Sequence, residues 1–220
     1  MRYWTEVREF YRQFRQQYFT TGSILPSSRA LARALVSQMR RLPKSEGFGS
    51  RGGRRILEVG PGTGAITTQI LHHLRPDDRL DIVEINADFI ALLERRFDEE
   101  PDWRIHRNQV RLLHMPLQTV PGERVYDFMI SGLPLNNFPV ALVREIFGSY
   151  QRLLKPVGVL SYFEYLGIRK VKMLLVNRRV RRRLHVLSRM LERLIKAFQV
   201  KEQWVFLNVP PAVARHMRFG

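Results

Sequence analysis

The segment from Ile56 to Gly64 constrains the fold of this chain more than any other part of the sequence. It reads Ile-Leu-Glu-Val-Gly-Pro-Gly-Thr-Gly, an apolar run with one acidic residue that leads into three glycines. A helix-like pattern follows from Ala65 to Leu74. Because glycine has no side chain and tolerates positive φ, a nucleotide can lie against the backbone of such a turn. We therefore expect a buried strand, a glycine turn and a helix.

A second strand with an acidic end follows the glycines. It is predicted at Leu80 to Ile85, and Glu84 lies at its tip, about twenty residues beyond the turn. In nucleotide-binding Rossmann units an acidic residue at this place accepts hydrogen bonds from the ribose hydroxyls. A solvated glutamate at a strand end is the alternative, but the order of strand, glycine turn, helix, strand and acid favours a nucleotide site.

The glycine spacing, with an acidic residue before it, resembles the first motif of S-adenosylmethionine-dependent methyltransferases. It differs from the Gly-x-Gly-x-x-Gly of dinucleotide-binding proteins. The resemblance implies that Glu58 lies near the methionine end of the cofactor and that Gly60, Gly62 and Gly64 line its back. An ordinary tight turn between strand and helix is the alternative.

The same resemblance implies S-adenosyl-L-methionine as the cofactor and S-adenosyl-L-homocysteine as the product. Many relatives carry an acidic residue after the third strand that contacts the adenine amine, whereas this chain has His114-Met115-Pro116-Leu117 there. We therefore expect the backbone of Met115 and Leu117 to contact the adenine. The predicted cofactor-binding residues are Glu58, Gly60, Pro61, Gly62, Thr63, Gly64, Glu84, Ile85, Met115, Pro116, Leu117 and Ser131.

Strands and helices alternate through residues 54–165, which predicts a doubly wound, mostly parallel sheet. Ligands of such sheets bind at the carboxyl ends of the strands, where the glycine turn and Glu84 both fall. We expect an α/β protein with the Rossmann-like fold of class I methyltransferases. Its later elements are predicted as strands at Val110 to His114, Tyr126 to Ile130 and Val157 to Phe163 and a helix at Val140 to Leu153.

The composition predicts one domain that lies on the cytoplasmic side. At 220 residues and 45% hydrophobic content, the chain can bury one sizeable core. It has no cysteine, which excludes disulfides and thiolate metal sites, and we expect no metal. There is neither a run of about eighteen apolar residues nor an apolar signal-peptide core. We expect a cytoplasmic monomer, and the basic charge, the first helix and the resemblance described below add the expectation that it associates peripherally with the inner face of the cytoplasmic membrane.

The net charge of +17 favours a polyanionic partner. Both an anionic membrane surface and nucleic acid satisfy this requirement, and charge alone does not choose between them. The basic excess is concentrated at the two ends of the chain, whereas the stretch from Glu84 to Glu123 mixes both signs.

Residues 1–42 are predicted to form amphipathic helices in front of the core. Residues 2–19 place aromatic side chains at three- and four-residue steps, with arginines on the remaining surface. Such a helix suits a membrane interface, and a helix that caps its own core is the alternative. A second helix is predicted at Ser28 to Met39, followed by a flexible linker from Pro43 to Arg55.

Residues 166–201 are predicted to form a basic helical insertion. Basic side chains crowd the stretch from Arg169 to Arg183, and an apolar stripe continues from Leu184 to Phe198. Membrane binding, nucleic-acid binding and a solvated face are all compatible with this pattern. Residues 202–220 are predicted as a final strand, at Gln203 to Asn208, and a tail.

The loop from Ser131 to Pro139 follows the fourth strand, and in the methyltransferase fold this loop faces the transferred methyl group. Methyltransferases that act on nucleobase amines carry Asn-Leu-Pro-Tyr or Asn-Pro-Pro-Tyr there, whereas this chain has Gly132-Leu133-Pro134-Leu135. Both the side-chain amide and the stacking ring are missing. Because base recognition depends on stacking and polar-edge contacts, this departure argues against an adenine dimethyltransferase.

The same loop resembles bacterial phospholipid N-methyltransferases of the soluble, membrane-associated type. The resemblance extends to Gly22 to Ala32, to Glu58 to Gly64, and to Leu154-Lys155-Pro156 leading into Phe163-Glu164-Tyr165. It implies methyl transfer to phosphatidylethanolamine, continuing through the mono- and dimethyl lipids towards phosphatidylcholine. An rRNA adenine N6-dimethyltransferase is the alternative enzyme, and a basic binding module with a relic cofactor fold is the non-enzymatic one.

A methyltransferase of this kind needs little beyond alignment of the amine and exclusion of water. Aromatic rings attract methylated ammonium groups, so candidates for a wall around the amine are Tyr18, Phe19, Tyr162 and Tyr165, with core packing as the alternative for each. Glu164 is a candidate proton acceptor or, alternatively, the partner of an arginine. The residues predicted at the methyl-transfer site are Ser131, Gly132, Leu133, Asn136, Tyr18 and Tyr165.

Overall fold

The structure is a computed structural model, and it describes residues 28–41, 53–135, 138–166 and 178–220. The amphipathic helix predicted for residues 2–19 lies outside the described residues. So do the first part of the basic insertion, residues 167–177, and most of the predicted linker, residues 43–52. These three predictions stay predictions.

The described elements follow the predicted alternation of strands and helices. The helices are α1 (Arg29–Arg41), α2 (Ala65–Leu71), α3 (Ala87–Glu99), α4 (Pro101–Arg104), α5 (Val140–Leu153) and α6 (Arg178–Phe198). The strands are β1 (Arg55–Val59), β2 (Arg79–Glu84), β3 (Val110–His114), β4 (Tyr126–Ser131), β5 (Leu154–Tyr165), β6 (Gln199–Val205) and β7 (Ala212–Met217). Two short 3₁₀ helices, Arg107–Gln109 and Leu117–Thr119, flank β3.

Across the described part of the chain, seven strands form one sheet in the order β3-β2-β1-β4-β5-β7-β6. The pairs β1–β2, β2–β3, β1–β4 and β4–β5 are parallel, whereas β7 is antiparallel to both β5 and β6. This topology confirms the predicted α/β class and the mostly parallel sheet. The strand order reverses between β1 and β4, so a crevice opens where these two strands end.

Alternating side chains of the strands feed two hydrophobic cores, one on each face of the sheet. On one face Ile56 packs with α1, α2 and α3, in a cluster that includes Leu35 and Ile70. On the other face Leu57 packs with α5 and α6, in a cluster that includes Tyr150. The sheet is therefore covered on both sides, and its carboxyl edge is left for a ligand.

None of the described helices combines the length and the apolar composition that crossing a bilayer requires.

A buried ion pair ties the start of β1 to the rest of the domain. Asp78 is fully buried, and its carboxylate accepts hydrogen bonds from Arg54 Nε, at 3.0 Å, and from the backbone nitrogens of Arg54 and Arg75, both at 2.8 Å. Arg54 also donates to the carbonyl of Met39 at 2.8 Å and to that of His73 at 2.7 Å. One guanidinium thus joins α1, β1 and the turns before β2.

The predicted linker from Pro43 to Arg55 is wrong at its end. Arg54 is 2% exposed, and Arg55 is the first residue of β1. The glycines and charges of this segment predict a solvated linker. The sequence does not show that Asp78 neutralises Arg54 inside the domain.

The final strand was predicted at Gln203 to Asn208 with a tail after it, and the structure corrects both. The strand β6 runs from Gln199 to Val205, and the predicted tail contains β7, which lies between β5 and β6. The sequence did not predict β7, because Arg215 and His216 interrupt its apolar pattern. His216 is fully buried and bonds to Ser161 at 2.8 Å, and Arg215 Nη1 donates to Glu202 at 2.8 Å.

Asp78→Asn should destabilise the domain by about 3–5 kcal/mol, because it leaves the buried Arg54 without a compensating charge. Urea unfolding followed by circular dichroism measures this change. The control is Asp77→Asn, an exposed neighbour that should change the free energy of unfolding by less than about 0.5 kcal/mol. Equal stability of the two variants would contradict the role given to this pair.

Candidate active site

The glycine turn joins β1 to α2 at the centre of the carboxyl edge. Gly60, Gly62 and Gly64 have φ angles of 67°, 58° and 88°, the left-handed region that favours glycine. A Cβ at Gly60 would lie 2.5 Å from Leu133 Cδ2, and one at Gly64 would lie 2.5 Å from Trp103 Cη2. Gly64 therefore leaves no space for a side chain beside the Trp103 ring, a side chain at Gly60 would displace Leu133, and the positive φ favours glycine at both positions.

Arg96 supports the turn from α3. Its Nη1 donates to the carbonyl of Thr63 at 2.7 Å, and its guanidinium lies 3.8 Å from the ring centroid of Trp103. Glu100 accepts from Arg96 Nε at 2.6 Å and fixes its orientation. The sequence does not point to this arginine, because nothing in the motif indicates which helix residue reaches the turn.

Glu58 is fully buried beneath the glycine turn, on the face of the sheet that carries α1 and α2. Neither carboxylate oxygen has a hydrogen-bond partner among the described residues. Burial, with a smaller contribution from the neighbouring charge of Glu84, raises the pKa of the Glu58 carboxyl to about 8. Thr67 opposes the shift, although its hydroxyl does not reach hydrogen-bond geometry with the carboxylate.

A buried carboxylate without a partner fits a cationic ligand. Solvent is excluded there, so a positive charge brought close to Glu58 would stabilise the ionised form. S-adenosylmethionine carries an ammonium group and a sulfonium at its methionine end. The chemistry of this site therefore fits the cofactor that the glycine motif implies.

Glu84 is held rigidly at the end of β2. It is 3% exposed, and its Oε1 accepts hydrogen bonds from the backbone nitrogens of Ile85, at 2.8 Å, and Asn86, at 2.9 Å. These two bonds fix the orientation of the carboxylate towards the crevice. A fixed acceptor at this place is what recognition of a ribose needs.

A narrow cleft brings predicted cofactor residues of three separate segments together, and Leu133 of a fourth segment also lines it; the predicted residues Glu58 and Ser131 are fully buried and are not among its lining residues. The cleft is lined by the end of β1 with the glycine turn, the end of β2, the turn after β3 and the loop after β4. Among the lining residues are Gly60, Glu84, Ile85, Met115, Pro116 and Leu117. Pro61, Gly62, Thr63 and Gly64 complete the adjoining turn. Contact of these residues with the cofactor stays a prediction.

Gln118 also lines this cleft, and the sequence analysis missed it. Its Nε2 is buried and has no hydrogen-bond partner among the described residues. It lies on the 3₁₀ helix Leu117–Thr119, directly after the residues expected to contact the adenine. A single glutamine in a short turn carries no pattern that sequence reasoning could have used.

The loop after β4 packs directly on the glycine turn. The nitrogen of Gly132 donates to the carbonyl of Val59 at 2.8 Å, and a Cβ at Gly132 would lie 2.5 Å from the carbonyl oxygen of Gly60. No side chain fits at position 132 without a shift of the backbone. The close packing of the loop therefore accounts for the absence of an asparagine at this position.

Ser131 lies inside the domain, on the α5 face. Its Oγ accepts hydrogen bonds from the Tyr150 hydroxyl, at 2.7 Å, and from the nitrogen of Leu133, at 3.2 Å. Burial raises the pKa of the Tyr150 hydroxyl, so that group stays protonated and donates. Both bonds shape the loop and bring Leu133 against the cleft.

The structure does not bring every residue predicted at the methyl-transfer site together. Ser131, Gly132 and Leu133 lie side by side, whereas Tyr165 is buried on the opposite face of the sheet, with its ring 5.0 Å from that of Phe163. Burial raises the pKa of Tyr165 to about 12. Asn136 and Tyr18 lie outside the described residues.

Comparisons with known proteins agree with this geometry. Residues 56–158 match the family described as "Methyltransferase domain". An ornithine lipid N-methyltransferase from Singulisphaera acidiphila is 34% identical over 140 residues, which cover 64% of this chain and 68% of that protein.

A ribosomal RNA small subunit methyltransferase A from Synechococcus sp. RCC307 is 34% identical over 101 residues, which cover 46% of this chain. The match spans only 35% of that enzyme, about a third of its length.

A solved methyltransferase shares the fold. The crystal structure of 1,6-didemethyltoxoflavin-N1-methyltransferase from Burkholderia thailandensis, which contains S-adenosylhomocysteine, has a TM-score of 0.56 at 15% identity. The alignment covers 99% of this chain and 88% of that one.

Glu84→Gln should weaken binding of S-adenosylhomocysteine by about 5- to 150-fold, the equivalent of about 1–3 kcal/mol for a charged hydrogen-bond acceptor. The glutamine oxygen can still accept from Ile85 and Asn86, so the turn should keep its shape. Isothermal titration calorimetry gives the affinities. Asp88→Asn, an exposed change in the first turn of α3, is the matched control. Wild-type affinity in a folded Glu84→Gln variant would remove this residue from the site.

Proposed function

Because the chain belongs to the S-adenosylmethionine-dependent methyltransferase family that includes ornithine lipid N-methyltransferase, we propose that it methylates the primary amine of an aminolipid headgroup. S-adenosyl-L-methionine is its cofactor. Phosphatidylethanolamine is the proposed acceptor, and the mono- and dimethyl lipids on the way to phosphatidylcholine are further acceptors of the same site.

The match to a lipid N-methyltransferase is the observation that carries this proposal. It extends over about two thirds of both chains, 64% of this one and 68% of the relative. The matches to the ribosomal RNA enzymes extend over a much smaller part of those proteins, 35% and 30% in two cases. A lipid amine is therefore the better supported acceptor.

The loop after β4 supports the same choice. Gly132 leaves no side-chain amide, and Leu133 and Leu135 are buried apolar residues that offer no ring for a base. A nucleobase would lose both its polar-edge contact and its stacking partner here. An aliphatic amine needs neither of them, and an apolar wall suits the chain of a lipid headgroup.

When bound, S-adenosylmethionine supplies a methyl group on a positively charged sulfur. In this chain Glu58 offers the compensating negative charge, and Glu84 offers a fixed acceptor for the ribose. The packed loops around Leu133 exclude water and hold the acceptor amine in line, which is where most of the acceleration arises in a reaction of this kind.

The acceptor ammonium must lose a proton before its nitrogen can attack. Glu164 was a candidate acceptor for this proton, but its Oε1 lies 3.6 Å from Arg215 Nε and accepts from the Tyr162 hydroxyl at 3.3 Å. Both contacts favour a structural carboxylate. We therefore assign the proton to solvent at the mouth of the cleft.

Ornithine lipid is a second candidate acceptor, favoured by the acceptor named for the Singulisphaera relative. It offers a primary amine on a lipid, as phosphatidylethanolamine does. The two headgroups differ in charge and length, so an experiment separates them directly.

Incubation with methyl-labelled S-adenosylmethionine tests the proposal. Parallel reactions contain vesicles with phosphatidylethanolamine, vesicles with ornithine lipid, vesicles of phosphatidylglycerol alone, or ribosomal RNA. Label should enter an aminolipid and neither phosphatidylglycerol nor RNA. Gly60→Val, which would place a side chain against Leu133, is the inactive control. Label in RNA, or in no aminolipid although the cofactor binds, would overturn the proposal.

A further inference from the structure

The end of β6 and its connection to β7 expose four large apolar side chains. Trp204, Phe206, Leu207 and Val209 are 56%, 70%, 84% and 66% exposed, and we call these four residues the apolar tip. The rings of Trp204 and Phe206 stack with their centroids 6.1 Å apart. A cluster of exposed apolar side chains of this size indicates a surface that meets a partner.

The tip is held in one conformation by a buried asparagine. Asn208 is 3% exposed; its Oδ1 accepts from the nitrogen of Ser28 at 3.0 Å, and its Nδ2 donates to the carbonyl of Pro210 at 2.7 Å. The nitrogen of Leu166 donates to the carbonyl of Pro211 at 2.7 Å. The apolar side chains are therefore presented to solvent by an anchored loop.

The tip projects from the same edge of the sheet as the active site. Tyr165, at the end of β5, pairs with Ala212, at the start of β7, and Ala212 pairs with Val205, at the end of β6. Because β5 runs parallel to β4, this is the edge where the loop after β4 lies. Three strand spacings, about 14 Å, separate β6 from β4.

Basic side chains border the tip. The helix α1 begins beside it, since Ser28 bonds to Asn208, and Arg29 and Arg33 are exposed in its first turns. Arg33 lines the same surface groove as Trp204, Phe206 and Leu207. Aromatic and aliphatic side chains beside arginines are the combination that binds the interface of an anionic bilayer.

We propose that the apolar tip inserts into an anionic phospholipid bilayer and sets the mouth of the active site against the headgroups. The role of the insertion rests on the proposed function, because the insertion would bring a lipid amine to the cleft. The net charge of +17 gives the attraction to an anionic surface, and the tip gives the apolar anchor.

Vesicle sedimentation without S-adenosylmethionine tests this inference apart from turnover. The variant is Phe206→Ser with Leu207→Ser, two exposed positions whose change should leave the fold intact by circular dichroism. Its partition onto phosphatidylglycerol vesicles should be weakened about tenfold or more, since two apolar side chains no longer leave water. The matched control is Ile105→Ser, which is 76% exposed in the turn between α4 and β3, at the opposite edge, and should bind as wild type.

The position of Trp204 gives a second measurement. Brominated lipids should quench part of the tryptophan fluorescence of the wild type, because an inserted ring approaches the acyl chains. The Trp204→Phe variant should lack this quenched part. Wild-type partition of the double variant, or no quenching assigned to Trp204, would overturn the inference.

Two other occupants of the tip give different results. If a second copy of the chain covered it, the double variant would shift a dimer to a monomer in sedimentation velocity without a change in vesicle binding. If residues 1–27 covered it, the double variant would leave vesicle binding of the full chain unchanged and would lower it only after those residues were deleted. Either result overturns the inference for the full chain. Tip-dependent binding without label transfer to any aminolipid would instead sustain it and overturn the proposed function.

Discussion

Direct backbone contact between two loops is the constraint on which the rest of the site depends. The glycine turn after β1 and the loop after β4 meet with no side chain between them, through the hydrogen bond from Gly132 to Val59 and the close approach of Gly132 to the Gly60 carbonyl. The cleft lies beside this contact and is lined by Gly60 of the turn and Leu133 of the loop. The contact also removes the polar side chain that nucleobase methyltransferases use, so the same constraint forms a cofactor site and narrows the choice of acceptor.

The charges of the molecule divide into two systems with different roles. Inside, Glu84 lines the cleft, and Glu58 is fully buried one residue before Val59, which also lines it; Glu58 lacks any hydrogen-bond partner among the described residues. Outside, the chain carries a net charge of +17. A negative interior suits a cationic cofactor, and a positive surface suits an anionic bilayer. Both requirements arise together in an enzyme that methylates lipid amines at a membrane.

Sequence reasoning reached the core of the fold because its signals are local. The bounds of β3 and α5 agree with the predictions, since burial imposes periods of two and 3.6 residues on these segments. The missed features depend on partners distant in sequence. The sequence around Arg54 resembles a linker, because the arginine's partner Asp78 lies 24 residues away. The sequence of β7 resembles a polar tail, because the partners of Arg215 and His216 lie on other strands. Gln118 and the apolar tip carry no periodic signal at all.

The account depends most on Glu58, which we expect to be protonated and unpaired in the free protein and to ionise when a positively charged group of the cofactor binds. With its pKa raised to about 8, this carboxyl is mostly protonated at pH 7 in the free protein, and the ammonium group of a bound ligand should drive the proton off. Calorimetric titration with S-adenosylhomocysteine at pH 7, in buffers of different ionisation enthalpy, counts released protons. The account predicts release approaching one proton per site in the wild type and little in Glu58→Gln. Binding without proton release, or equal release by both proteins, would contradict it.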